Sequence, residues 1–440
     1  MRASVRILLV STYELGRQPF GLASPAAWLR RDGHEVACVD LAVESPEPDA
    51  VRDADMIAFH IPMHTATRLA SRVIPRFRAL NPRARFCCYG LYAPLNEAYL
   101  RSLGVDAVIG GEFETALSRA ASGEDTPGGV SLGRQRFLTP DRSGLPPLSQ
   151  YAHVHVNGAR KPAGYTEASR GCKHLCRHCP VAPVYGGRFR IIERNVVLED
   201  VRRQVAAGAQ HITFGDPDFL NGPAHSLRIV RALHEEHPSL TYDVTAKIEH
   251  LKQHRGALGV LKQTGCLFVT TAVESVEDDV LRRLKKGHTR EDFVQAARDC
   301  REAGLALAPT FVPFTPWTTL AGYRELLRAL VDLDLVDHVP PVQLGLRLLI
   351  TAGSRLLELP DVRALVQPFE EASLVYPWKH RDPALDELSA EILAFAAAHK
   401  GSRREAFARI WELACDKPLP RNFKLIPRAA VPYLDEPWYC

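Results

Sequence analysis

The chain has 440 residues, 46% hydrophobic and 24% charged, with 55 Lys and Arg against 51 Asp and Glu. That is ordinary globular composition for two or three domains, large enough to bury a core without disulfide staples, and a net charge of +4 is too mild to argue for nucleic acid or an anionic membrane as a partner. No apolar run is long enough to span a bilayer and the apolar stretch 7–10 is too short for a signal-peptide core, so a cytoplasmic protein is the expectation.

Short apolar runs and helix-like segments alternate through residues 1–121. Strands are predicted at 5–10, 35–40, 55–60, 85–89 and 107–109, and helices at 25–32, 66–80 and 97–103. That alternation predicts a doubly wound parallel sheet of flavodoxin or Rossmann type, which takes ligands at the carboxyl ends of its strands. Those ends carry 11–20 (with Glu14), 60–65, 90–94 (with Gly90) and 110–114 (with Gly111 and Glu112). Residues 122–164 are rich in Gly, Pro and Ser and read as a linker. From 165 to 350 the alternation returns. Strands are expected at 165–169, 211–215, 241–246, 266–273, 305–312 and 339–346, and helices at 196–207, 224–237, 251–263, 276–285, 290–303 and 320–333. Six βα units suit a full or partial parallel barrel with its chemistry at the carboxyl ends of the strands. Residues 351–440 read as a helical region, with helices at 385–399 and 403–415, and a Pro-rich tail.

Six of the ten cysteines, Cys38, Cys87, Cys88, Cys266, Cys300 and Cys415, sit in or beside apolar segments and read as small buried hydrophobes. Cys440 ends the chain. Cys172, Cys176 and Cys179 are clustered in a Cys-x3-Cys-x2-Cys spacing just after the first strand of the expected barrel. Structural zinc wants four ligands, which His174 or His178 would have to complete. An iron–sulfur cluster held by three thiolates instead leaves one iron open to a ligand, and the strand-end placement favours that reading.

On this loop the chain resembles the radical SAM superfamily, whose open cluster iron chelates S-adenosylmethionine. The resemblance implies a [4Fe–4S] cluster on Cys172, Cys176 and Cys179, reductive cleavage of S-adenosylmethionine to a 5′-deoxyadenosyl radical, and an external electron donor such as flavodoxin or ferredoxin. His178 departs from the aromatic residue that many members carry before the third cysteine. The segment Phe214-Gly215-Asp216-Pro217-Asp218 looks like the motif that receives the methionine ammonium; its spacing does not choose between Asp216 and Asp218, and a capped turn is the weaker alternative. Glu274 and Ser275 resemble the ribose contact, with Ser275 also a candidate cap for the next helix. Thr245 and Lys247 end the third strand, and Phe311 opens a stiff Pro- and aromatic-rich wall at the end of the fifth, all within expected reach of the ligand. Lys285 and Lys286 read as a solvated helix end.

A Rossmann-like domain ahead of such a barrel resembles the cobalamin-binding subclass, in which a corrin lies between the domains. Gly90, Gly111 and Glu112 resemble its backbone-approach loops. The cobalt-ligating Asp-x-His-x-x-Gly motif is absent; the loop reads Ser11-Thr12-Tyr13-Glu14-Leu15-Gly16, which predicts cobalt with no histidine from this loop. The last residues, from Val431 to Cys440, look like the end of proteins with a CUAEP or CCAEP tail, in which Tyr433, Leu434, Trp438 and Tyr439 would anchor the segment and Cys440 would be redox-active or followed by selenocysteine. The expected activity is a cobalamin-dependent methyl transfer to an unactivated carbon of a small molecule or peptide. The alternatives are a cobalamin-independent radical rearrangement or hydrogen abstraction, and a non-enzymatic metal-stabilised binding module.

Overall fold

The computed structural model describes residues 4–124, 128–420 and 431–435. The first domain is a parallel sheet in the order β2-β1-β3-β4-β5-β6. Its strands are β1 (Arg6–Ser11), β2 (Glu35–Asp40), β3 (Met56–His60), β4 (Arg85–Tyr89), β5 (Ala107–Gly111) and β6 (Gly129–Ser131). The central strands are apolar on both faces because helices cover both. Leu8, Ile57, Phe59 and Phe86 pack against Ile74 and Phe77, while Leu9, Ala58, Cys87 and Tyr89 pack against Leu22, Leu29 and Leu117. Cys87, Cys88, Cys266 and Cys300 are buried as expected, whereas Cys38 and Cys415 are half-buried.

The segment expected to be a linker contributes strands to both sheets. β6 extends the first sheet beside β5. β7 (His153–Val156) and β8 (Ala159–Thr166) form an antiparallel hairpin. Its turn is Asn157-Gly158, with φ of 50° and 78°, the pair that a tight hairpin favours. The sheet that carries the later strands thus takes in this hairpin from His153 on, ahead of the first strand expected at 165.

After β8 come β9 (Ser169–Gly171) and β10 (Phe189–Ile191), paired with each other, then β11 (His211–Phe214), β12 (Thr241–Thr245), β13 (Cys266–Glu274) and β14 (Ala306–Phe311). β8, β11, β12, β13 and β14 run parallel in one open, helix-backed sheet. Five parallel strands form where six were expected. Residues 339–346 carry Pro340 and Pro341, which lack the N–H a ladder needs, and they fold into a short 3-10 turn, Pro341–Leu344. What remains of a sixth strand is one parallel bridge between Phe314 and Arg347. The expected helix at 251–263 is two, Ile248–Gln253 and Gly256–Gln263.

The helices Pro383–Ala398 and Arg403–Cys415 close over the helix Leu320–Asp332, with Ile392, Phe407 and Trp411 in the core. The chain then returns as β15 (Tyr433–Leu434), antiparallel to β7. Tyr433 stacks on His155 with 4.8 Å between ring centroids, and Asp435 accepts from the His153 N–H and, at 3.1 Å, from Arg160 Nε. Tyr433 and Leu434 thus anchor the tail; Trp438, Tyr439 and Cys440 lie outside the described residues. Among the described residues no helix is long and apolar enough to cross a membrane.

The two domains share core. Phe20 of the first sits among the apolar residues of the second and meets Tyr165 edge-on at 6.1 Å. Arg142 crosses the boundary: it makes two 2.9 Å bonds to the buried carboxylate of Asp200 and donates to Tyr165 O at 2.7 Å and Gln18 Oε1 at 3.0 Å. Removing one partner of such a pair strands a charge in low dielectric. Arg142→Ala is expected to cost about 3 kcal/mol in urea denaturation, and the Arg142→Ala/Asp200→Ala pair distinctly less.

Candidate active site

The loop bearing the three clustered cysteines leaves the carboxyl end of β8 and is clasped at its base by β9 and β10. Gly171 has φ +76°, and a Cβ there would lie 2.4 Å from Tyr185 Cδ1 and 2.5 Å from Arg188 O, so only glycine fits. Cys172 N donates to Arg188 O at 3.1 Å and Arg177 N to Leu284 O at 2.9 Å. Asn221 Oδ1 accepts from Lys173 N at 3.2 Å. The short helix Val181–Tyr185 packs Val181, Val184 and Tyr185 around Cys172 and Cys179.

Cys172 and Cys176 are buried and Cys179 is half-buried. Burial raises the Cys172 thiol and pushes Cys179 up to about 11, and the neighbouring thiols add to both shifts. Three thiols in one electrostatic neighbourhood, two of them buried, fit a polynuclear iron site: the ligands must load as thiolates, with release of their protons. Among the described residues no fourth cysteine joins them. Cys172 Sγ, a His174 nitrogen and an Asp218 oxygen lie within 4.8 Å of one another.

The geometry separates the two aspartates that the sequence left equivalent. Asp216 is occupied: Oδ1 accepts from Ser169 Oγ at 2.6 Å and Oδ2 from Ala168 N at 2.9 Å, bracing the strand that enters the loop. Burial raises its carboxyl to about 7. Asp218 Oδ1 accepts from Leu220 N at 3.2 Å, whereas Oδ2 is buried without a hydrogen bond. His250 Nδ1 lies 2.6 Å from that oxygen but out of alignment. His174 Nε2 meets His250 Nε2 at 3.3 Å, so two histidines close this side. Gly215 must be glycine, since a Cβ would fall 1.7 Å from Tyr165 Oη.

On the other side of the loop stands Glu274. It has φ +69°, rare for a residue with a side chain, where the β13–β14 register slips between Ala272 and Glu274. Its Oε1 lies 3.0 Å from His178 Nε2 and accepts from Lys286 Nζ at 3.2 Å. Burial alone would raise this carboxyl, but the Lys286 ammonium and His178 outweigh it and hold it well below the usual range. Lys286 corrects the sequence reading. It is 3% exposed, not a solvated helix end, because Lys285 adopts φ +56° after the helix Asp278–Leu284 and turns the next residue inward. Its ammonium stays charged despite burial through Glu274, Cys176 and Cys179. Ser275 Oγ accepts from Glu277 N at 3.1 Å and does not cap the helix, which starts at Asp278. Thr245 is half-buried at the end of β12, and Lys247 Nζ lies 3.5 Å from Glu249 Oε2. The Phe311 side chain is buried against Phe293 of the helix layer, ring centroids 6.0 Å apart, which leaves its backbone as the part that meets the wall.

Arg170, two residues before Cys172, ties this site to the first domain. It reaches Glu114 at 2.7 Å, Glu167 at 2.7 Å and Glu112 at 3.6 Å, and lies over the rings of Phe113, Phe137 and Phe20. Glu112 also accepts from Tyr185 Oη at 3.2 Å. One guanidinium serving three carboxylates leaves Glu112 raised to about 7, with burial as the main cause. The Gly110-Gly111-Glu112 turn is thus part of an inter-domain ion cluster. Gly111 has φ +73°, and its Cβ would strike Ser131 O at 2.2 Å.

Between the strand ends of the two sheets lies a cavity of about 220 Å³, walled by Gly21, His60 and Gly111 from one domain and Tyr165, Glu167 and Gly215 from the other. A second cavity of about 470 Å³, lined by Tyr13, Asp40 and Tyr151, shares Glu14 and Arg17 with the first. Gly90 stands behind His60 with φ +113°; its Cβ would be 3.0 Å from His60 Cδ2. Sequence reading gave no site role to His60, Arg170, Lys286 or His250; only the fold gives each its neighbours.

Two outcomes check this electrostatic picture. Glu112 holds its proton up to about 7 when folded against an ordinary 4.5. Stability is then full below the unfolded value and falls as pH rises through the folded one, by at most about 3 kcal/mol. Glu112→Gln, which keeps an acceptor for Tyr185, flattens the thermal midpoint of the metal-free chain across that window. Lys286→Met leaves Glu274 buried with His178 alone and is expected to lower stability by about 3 kcal/mol in urea denaturation, with Lys286→Arg restoring most of it.

Comparison with known proteins agrees with this architecture. Residues 166–320 match the radical SAM superfamily. The hopanoid C-3 methylase of Methylococcus capsulatus is 25% identical over 331 residues, covering 70% of this chain and 64% of the relative. The chain thus spans less than two thirds of that relative's length. The solved structure of the radical S-adenosylmethionine methyltransferase TsrM from Kitasatospora setae, with tryptophan substrate and a SAM analogue bound, superposes with a TM-score of 0.60 at 18% identity, over 75% of this chain and 71% of that one. That of the cobalamin-dependent S-adenosylmethionine radical enzyme OxsB, with aqua-cobalamin and S-adenosylmethionine bound, gives 0.68 at 14% identity, over 88% and 66%. Both structures share the fold.

Proposed function

On the premise that residues 166–320 are a radical SAM domain, we propose that the chain is an enzyme that cleaves S-adenosylmethionine reductively and, with a corrinoid held between its domains, methylates an unactivated carbon of a small molecule or peptide. The reading rests on one observation above all: the carboxyl ends of both sheets face a common cavity, and the cysteine loop is locked to that cavity's wall through Arg170. When bound, a [4Fe–4S] cluster supplies an open iron and an electron to S-adenosylmethionine, and a corrinoid supplies a methyl carrier.

The chain's own residues have distinct tasks. Cys172, Cys176 and Cys179 hold the cluster, and the Lys286 ammonium offsets thiolate charge beside it. Asp218 Oδ2, buried beside His250 but with no aligned hydrogen bond, accepts from the methionine ammonium, while Asp216 only braces the loop. Glu274 spends Oε1 on His178 and Lys286 and offers Oε2 to the ribose hydroxyls. His178 Nδ1, buried without a partner, faces adenine. Thr245, Ser275 and the backbone of Phe311 complete the wall, which keeps water and stray hydrogen donors away. The glycines at 21, 111 and 215 let a flat ligand approach the backbone on both sides. Flavodoxin or ferredoxin serves as electron donor.

One observation favours a cobalamin-independent radical reaction instead. The shared cavity, at about 220 Å³, is smaller than the ~300 Å³ at which pockets for drug-sized ligands begin. A corrin therefore requires the loop 14–17 to move, merging the two cavities that it divides. Anaerobic purification with supplied cobalamin, followed by iron, sulfide and corrinoid analysis, decides between the two. A stoichiometric corrinoid supports the main reading and its absence the alternative. Cys176→Ala is expected to abolish iron loading and 5′-deoxyadenosine formation; a variant that keeps both sinks the cluster assignment.

A further inference from the structure

The cysteine loop lies just below the surface of the protein. Cys176 is buried, whereas Lys173 is exposed and Leu175 and Arg177 on either side of Cys176 are half-buried. Two segments frame this outer side. Arg177 N donates to Leu284 O at 2.9 Å and Arg177 Nη1 to Arg283 O at 2.7 Å, which sets the end of the helix Asp278–Leu284 on one flank. Ser354 Oγ reaches Arg177 O and Arg355 Nη1 reaches Leu175 O, both at 3.5 Å, which sets the turn Arg355–Glu358 on the other.

The charge on this face is one-sided. Arg282 and Arg283 are matched by Asp279 and Asp361 and add little field of their own. What remains is Lys173, Arg177, Lys285 and Arg355 against the single carboxylate of Glu358. That carboxylate is already shared, with Arg355 Nε 2.7 Å and Arg177 Nε 4.0 Å away. Hydrogen bonding from Arg355, with the charges of Arg177 and Lys285 behind it, holds the Glu358 carboxyl below its usual range, so these three cations form one patch. Lys173 and Lys285 are exposed and form no salt bridge among the described residues.

We propose that this patch is the docking surface of a small acidic electron-transfer protein, which delivers its electron across the Leu175–Arg177 side of the loop. This rests on the cluster reading above and gives the electron donor a place to bind. One electron passes from the reduced carrier to the site on Cys172, Cys176 and Cys179, and no bond forms or breaks at the interface. Redox encounters of this kind bury little area, so charge supplies much of the attraction and the contact weakens as salt rises.

The test uses the full chain reconstituted with iron and sulfide and a purified acidic flavodoxin as the probe. Calorimetry reads binding of the oxidised flavodoxin at low and high salt. A second assay follows 5′-deoxyadenosine formation driven by reduced flavodoxin or by dithionite. Lys285→Glu/Arg355→Glu is expected to weaken flavodoxin binding about tenfold at low salt and to flatten its salt dependence. It slows the flavodoxin-driven reaction and leaves iron content and the dithionite-driven rate unchanged. Arg6→Glu, a charge reversal at the amino end of β1, leaves flavodoxin binding as it was. Unaltered flavodoxin binding by the double variant overturns the proposal. So does an equal loss with dithionite, which would assign the two residues to holding the loop. Self-association of the wild-type chain that the double variant abolishes in sedimentation gives the face to a second copy instead. A chain that loads no iron, as iron and sulfide analysis reports separately, sinks the cluster reading and the docking role with it.

Discussion

The arrangement of the site depends on one buried cation. Arg170 sits among Glu112, Glu114 and Glu167 with its side chain 7% exposed. A guanidinium is suited to this because its planar fork satisfies several carboxylates at once and it stays charged in low dielectric. Its backbone belongs to β9, immediately before the cysteine loop, whereas Glu112 and Glu114 follow β5 of the other domain. The same pairs that neutralise the charge therefore set the distance between the two sheets. Breaking them would leave either a lone guanidinium or several uncompensated carboxylates, each costly to bury. The aromatic rings of Phe20, Phe113 and Phe137 around the guanidinium exclude water and strengthen the pairs.

Around the cysteines, carboxylates divide by what they have already spent. Asp216 has both oxygens on neighbouring donors, and Glu114 is saturated by Arg170, Ser24 and Gln135. These are structural. Glu274 keeps one oxygen uncommitted beside the loop, and Asp218 Oδ2 makes no aligned hydrogen bond although His250 Nδ1 lies 2.6 Å away. An uncommitted acceptor at a buried strand end carries a desolvation cost, and a polar ligand that supplies the missing donors recovers it.

Local signals in the sequence determined a good deal. Strand positions followed from runs such as Arg85–Tyr89 and Met56–His60, because strands covered on both faces are largely apolar. The cysteine spacing marked the loop because three clustered thiols point to metal or redox chemistry. The Asn157-Gly158 turn was not read as one, because it lies in the Gly-, Pro- and Ser-rich stretch taken for a linker. The missing sixth strand was written in Pro340 and Pro341, which break a ladder whatever the flanking residues prefer.

Only the tertiary structure decided which polar residues serve the site. Lys286 looked like its neighbour Lys285, and a single left-handed residue at 285 turned one to solvent and the other to Glu274. Asp216 and Asp218 looked interchangeable until Ser169 and Ala168 claimed the first. Glu14 and His60, whose side chains meet at 2.6 Å, are 46 residues apart, and neither carries a mark of its partner. Sequence patterns report backbone propensity and burial, which are local properties. Which donor meets which acceptor across two sheets depends on strand order and on how the domains pack, and no local pattern encodes that.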